Sequence, residues 1–254
     1  MVVTTAILML SVALQSVVGF GLGMVSIPLL LCQGLPLSHA VFLGLSVSLF
    51  CSLVAWRQMG DDLPWRESVV ASGYRLIGIL PGLALASATA GMSSATLKGL
   101  IGLVVGLGVV AQASKMFGGG VAVPLGTPPS RRLAPLAFLS SGVLTGWLGM
   151  GGPPLVFWQL TGRASSRHTR GFLFGVYMLT LPVQLALMLW ADPEGIATLF
   201  PLLLINAPLT WWVGEKSLAL GDRLSVQRLQ WVSLMFLALL AARSLTDWAL
   251  ELGR

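Results

Sequence analysis

Charge is what this sequence has least of. Lys, Arg, Asp and Glu together make up 9% of its 254 residues, against 56% hydrophobic residues. A soluble domain carries roughly a quarter charged residues, so that class is excluded and an integral membrane protein remains. Cysteine is nearly absent as well. Cys32 and Cys51 lie in apolar stretches without metal-type spacing, which points to packing and to neither a disulfide framework nor a metal site. The carboxylates are as sparse, and no pair of them falls within an apolar stretch. Also missing are a His-Glu-x-x-His pair, a phosphate-binding P-loop and a dinucleotide fingerprint. No enzyme chemistry, metal or cofactor is therefore expected. The net charge of +6 resides mostly in short loops between apolar stretches, so it reads as membrane orientation and not as nucleic-acid binding. The stretch Met1–Leu8 has no basic region, and no small-residue cleavage site follows it, so no cleaved leader is expected.

Glycine is plentiful, and its placement carries the functional signal. Gly146-Trp-Leu-Gly-Met-Gly-Gly-Pro-Pro-Leu155 interrupts an apolar stretch that runs from 133 to 160. Gly149, Gly151 and Gly152 let the backbone leave a helix, while Pro153 and Pro154 suit the first turn of the next one. A second copy, Gly19-Phe-Gly-Leu-Gly-Met24 followed by Pro28, breaks the apolar run 4–34. Gly19 and Gly21 precede Gly149 and Gly151 by 130 residues, and Leu-Ser-His39 answers Ser-Arg-His168 within one residue. Paired breaks of this kind mark a transporter site at a repeat interface, where half-helix N-termini attract an anion. The expected substrate contacts are Gly21, Gly23 and Met24 on one side and Gly149, Gly151 and Gly152 on the other. Small-residue helix packing is the competing account of such glycines.

The chain divides into a first transmembrane repeat at 1–117, a linker at 118–132 and a second repeat at 133–254. Besides the two broken segments, candidate spans are 39–56, 68–90, 96–117, 171–190, 196–213 and 226–246. Pro81-Gly82 is expected to kink the second of these. Arg75 is the charge most clearly inside a span and so a functional candidate, with snorkelling as its alternative. Asn206, between Pro201 and Pro208, is a further candidate substrate contact, and Gln159 and Gln184 are polar groups at similar depth. His39 and His168 are candidates for proton coupling, or else interfacial residues. Arg243 and Asp247 are spaced to pair on one helix face.

If every segment crossed the membrane, the basic residues would divide six against seven and orient nothing. If both broken segments are re-entrant, loops 57–67, 115–132, 161–170 and 214–228 share a face bearing eleven Lys/Arg, which the positive-inside rule puts in the cytoplasm. Each half then has three crossings, so the two repeats are inverted. An anion-collecting vestibule at Arg163, Arg167 and Arg170 is the competing reading of that cluster.

The motifs at Gly19–Pro28 and Gly149–Pro154, in two four-segment halves, resemble those of the TauE/SafE family, also called the sulfite exporter or TSUP family. The first copy departs from the usual glycine triplet in having Leu22 between Gly21 and Gly23. The resemblance implies a secondary transporter of sulfite, sulfonates or related organosulfur anions, mostly an exporter, in the bacterial cytoplasmic membrane. Its partners would be that small anion, protons and the lipid bilayer. A passive anion channel is the other reading.

Overall fold

The computed structural model describes residues 1–89, 91–92, 94–117, 127–159, 161–162 and 164–223, together with 231, 234, 235, 238, 239, 241, 242, 246 and 248. All the regular structure there is helical. In order these are α1 (Val2–Val18), α2 (Leu22–Cys32), α3 (Leu37–Met59), α4 (Trp65–Thr89), α5 (Ser94–Phe117), α6 (Ala134–Leu148), α7 (Gly152–Gln159), α8 (Ser166–Ala191), α9 (Pro193–Ala197) and α10 (Phe200–Arg223). A single 3₁₀ turn joins α3 to α4. Among the described residues, the helices at 37–59, 65–89 and 167–191 are long and apolar enough to cross a membrane.

Several boundaries differ from the sequence expectation, and for one reason. Loss of hydropathy marks where lipid ends, whereas a helix ends where its backbone can no longer continue. The loop expected at 57–67 shrinks to the turn around Gly60–Asp62, because Arg57 still belongs to α3. The loop expected at 161–170 gives way at Ser166, where the hydroxyl of Ser165 caps α8 by accepting from the His168 amide at 3.2 Å. Likewise α10 runs through Glu215, Lys216 and Asp222 to Arg223, so the span expected at 196–213 is too short and the loop expected at 214–228 is helix as far as Arg223. Ahead of it, Asp192 caps the short α9. Pro81 lies inside α4 without ending it. The linker residues 118–126, most of the last expected span and the Arg243–Asp247 pair lie outside the described residues.

Two pairs of short helices fold back on themselves. Thr4, at the start of α1, donates to Gln33, just past the end of α2, at 3.0 Å. The corresponding closure around α6 and α7 joins Ser130 to Thr161 at 2.8 Å and Trp158 to Ser130 at 2.9 Å. In each pair the outer ends lie together and the glycine turn forms the tip.

Helix packing then sets the interior. Gly78 and Gly82 of α4 face Gly142 and Gly146 of α6. A Cβ added at Gly78 would come within 3.1 Å of the Gly142 Cα, and one at Gly82 within 2.9 Å of the Gly146 Cα. With no side chain between them the two backbones touch, as small-residue spacing permits in lipid. Elsewhere α1 packs on α10 and α3 on α8. Beside α6, Phe138, Trp158 and Phe172 form an aromatic cluster with ring centroids 4.7–6.1 Å apart. Cys51 is buried against Ser16, whereas Cys32 is exposed and not a packing residue.

Candidate functional site

The two glycine turns end their helices in the same way. α1 stops at Gly19 and α6 at Gly149, both left-handed with φ of 95° and 71°. Gly21, with φ of 101°, precedes α2. A β-carbon would strain each of these conformations. The turns also meet each other: a Cβ at Gly23, in the first turn of α2, would strike the carbonyl oxygen of Gly149. Pro153 and Pro154 fall in the first turn of α7, where their missing amides cost no helical hydrogen bond.

Where the tips meet lies a small cavity of ≈ 30 Å³. That volume holds about two waters. Gly21, Gly23 and Met24 line it from one turn, and Gly149, Gly151 and Gly152 from the other. Gln15 and Ser48 add a polar wall and bond each other at 2.9 Å.

Arg75 completes the lining. It is 1% exposed and sits mid-way along α4, so its side chain does not snorkel to an interface. Nη2 donates to the Thr145 hydroxyl at 2.9 Å, and the guanidinium carbon lies 5.0 Å from the centre of the Tyr177 ring. Nε and Nη1 have no partner among the described residues, and none of the ion pairs there involves Arg75. The α4–α6 glycine contact is what puts Arg75 beside Thr145. A relay of hydrogen bonds continues from there through Ser141, by its backbone carbonyl and then its hydroxyl. Thr145 donates to the Ser141 carbonyl at 2.6 Å, and the Ser141 hydroxyl donates to the Gly151 carbonyl at 2.6 Å. Gln184 fixes the Thr145 carbonyl from α8 at 2.8 Å.

A buried guanidinium with two idle donors is costly unless a negative charge completes it. Backbone amides at two helix starts and a cation with no counter-charge among the described residues are the features that attract an anion. The family model of the sulfite exporter TauE/SafE matches residues 4–244. The chain belongs to that family. It is thus a transmembrane transporter. No curated protein and no solved structure matches the chain.

Not every candidate residue reaches this cavity. Asn206 is buried on α10 but donates to Leu202 at 2.7 Å and to Thr5 of α1 at 3.4 Å, at the α1–α10 contact. His168 lies at the start of α8, 3.2 Å from Glu67, and half-exposed. His39 stands in the first turn of α3, outside the lining. Conversely, Tyr177, Thr145, Ser141, Gln15 and Ser48 carry no motif of their own. For Thr145 and Ser141 the one sequence signal is indirect: the Gly-x-x-x-Gly spacings at 78–82 and 142–146, which bring α4 and α6 together.

Proposed function

We propose that this TauE/SafE protein is a secondary transporter of a small sulfur-containing anion, sulfite or an organosulfonate, working as an exporter in a bacterial cytoplasmic membrane. The observation that carries the reading is the uncompensated Arg75 guanidinium in a cavity built from both glycine turns. The anion would take Nε and Nη1 of Arg75 together with amides at the starts of α2 and α7.

The helix pairs support a reading of alternating access. The bonds closing their outer ends support re-entrant hairpins, and the near-equivalent contacts of their tips support inverted repeats. Gly19 meets Arg170 of α8, while Gly149, 130 positions later, meets Val41 of α3. Residues 41 and 170 match under the same shift to within one position. Coupling to protons through His39 or His168 would act at a distance, because neither lines the cavity.

Uptake of radiolabelled sulfite into proteoliposomes tests the proposal, with taurine as a sulfonate and acetate as a carboxylate control. Sulfite or taurine is expected to accumulate under an imposed proton gradient and acetate is not. Arg75→Lys keeps the charge but loses the planar fork, and each charge-assisted bond is worth ~1.5–3 kcal/mol, so a loss of about tenfold or more is expected. Equal flux of acetate, or parental flux in Arg75→Ala, would overturn the assignment.

A further inference from the structure

Arg170 is a second guanidinium that the fold buries, and the Arg75 site does not use it. It stands in the second turn of α8 with 3% of its side chain exposed. Nη2 donates to Asp222 near the end of α10, while Nε and Nη1 have no partner among the described residues. Its surroundings explain the burial. A Cβ added at Gly19 would lie 2.9 Å from the Arg170 Cγ, and one at Gly221 would strike Nη1. The stem therefore lies on the first glycine turn and the head lies on α10.

This places Arg170 at a threshold. Gly19 is two residues from Gly21, which lines the cavity, and two residues of chain reach at most ~7 Å. On its other side Asp222 also faces Arg167 Nη1 at 3.5 Å, and Arg167 holds Asp62 through Nε at 3.0 Å and Nη2 at 2.9 Å. The equivalent contact at the second turn is apolar, since a Cβ at Gly149 would meet Val41 Cγ1 at 3.0 Å. One turn lies against an ion pair and the other against apolar side chains.

We infer that Arg170 is a second oxyanion-binding station and, with Asp222, the gate on the face that carries Asp62 and Arg167. An anion leaving the Arg75 cavity docks on Nε and Nη1 of Arg170. Its charge repels the Asp222 carboxylate already on Nη2. Asp222 gives way toward Arg167, which keeps it paired, and the end of α10 parts from the first glycine turn. The inference rests on the reading of the Arg75 cavity as an anion site.

The test uses the reconstituted full chain with sulfite as the probe. A Cys32→Ser, Cys51→Ala background carrying Val18→Cys reports opening beside Gly19 by its rate of alkylation from the Arg170 face. Sulfite is expected to raise that rate by about threefold or more, the scale of a modest population shift. Asp222→Asn is expected to be fast without sulfite. Arg170→Gln should lose the response and transport at least about tenfold slower, while its sulfite affinity by calorimetry stays within about threefold of the parent. Parental transport and labelling in a folded Arg170→Gln would overturn the gate, and a tenfold loss of affinity would merge Arg170 into the primary site. If Arg170→Gln does not fold, Arg170→Lys decides, since it keeps the buried cation but not the fork. Lost labelling response supports the inference there, and a parental response overturns it. Arg75→Lys read by calorimetry keeps the two ideas apart: parental affinity there refutes the cavity reading and the gate that rests on it, whereas weakened affinity there with a parental labelling response in Arg170→Gln refutes the gate alone.

Discussion

At the residue scale, the glycines of the two turns are glycines for different reasons, and substitution should separate them. Gly21 has open space where a Cβ would stand, so only its left-handed backbone resists a side chain. That conformation costs an L-residue ~1–2 kcal/mol. Gly21→Ala is therefore expected to melt a few degrees below the parent in detergent, yet to bind sulfite much more weakly because the methyl enters the cavity. Gly151 is confined instead. Its Cβ would collide with the Thr145 hydroxyl and lie 2.9 Å from the Ser141 Oγ. Gly151→Ala should break the relay that runs from Arg75 through Thr145 and Ser141, and the yield of folded protein should fall with binding. A Gly151→Ala protein as stable as the parent would mean the hydroxyls re-form the relay around a methyl group. Arg75 makes the complementary point. Its cost to the fold, two buried donors without a partner among the described residues, is the same property on which the proposed anion contact rests.

At the element scale, α4 and α6 act as a single unit because backbone meets backbone at Gly78, Gly82, Gly142 and Gly146. Gly73, nearer the start of α4, is exposed and has nothing within 4 Å of where a Cβ would stand. Comparing Gly73→Ala with Gly78→Ala thus measures the contact with helix propensity held equal. Gly73→Ala is expected to be neutral or to gain up to ~1 kcal/mol. Gly78→Ala must push away the Leu139 carbonyl and is expected to lose roughly 1–3 kcal/mol, as overpacking does. Because α4 carries Arg75 and α6 carries Thr145, Gly78→Ala should also weaken sulfite binding while Gly73→Ala binds like the parent. Equal thermal shifts for the two would remove the contact as the device that positions Arg75.

At the scale of the whole molecule, ion pairs gather one face. Arg167 joins the turn after α3 to the end of α10 through Asp62 and Asp222, and Gln58 reaches the Glu215 carbonyl at 3.3 Å. Exposed pairs of this kind add at most ~1 kcal/mol each, so they register the face more than they stabilise it. The exposed Cys32 ends α2 at the closed outer end of the first helix pair. With the basic face in the cytoplasm, an impermeant maleimide applied to intact cells is expected to label Cys32. It should miss Asp62→Cys, in a Cys32→Ser background, until the cells are opened. The reverse pattern would invert the protein in the membrane, and labelling of both from outside would break the re-entrant arrangement.

Much of this was legible in the sequence, because lipid imposes its rules locally. A scarcity of charge is enough to define the membrane class. Glycine turns at matched positions show where helices must break, since only glycine readily accepts a φ such as the 101° of Gly21. The candidate contacts Gly21, Gly23, Met24, Gly149, Gly151 and Gly152 follow from those turns, and the structure gathers all six around one cavity. What hydropathy does not encode is where a helix stops once it leaves lipid, so α8 starts early and α10 ends late. Nor does it distinguish among buried polar residues. Asn206 and Arg75 both lie in apolar stretches, yet Asn206 donates to Leu202 and Thr5 and keeps Oδ1 unpaired at the α1–α10 contact, while Arg75 keeps two donors unpaired beside the cavity. The reason is packing between segments distant in the chain. Only the close approach of α4 to α6, and of one glycine turn to the other, decides which polar group is packed between helices and which is left facing a cavity.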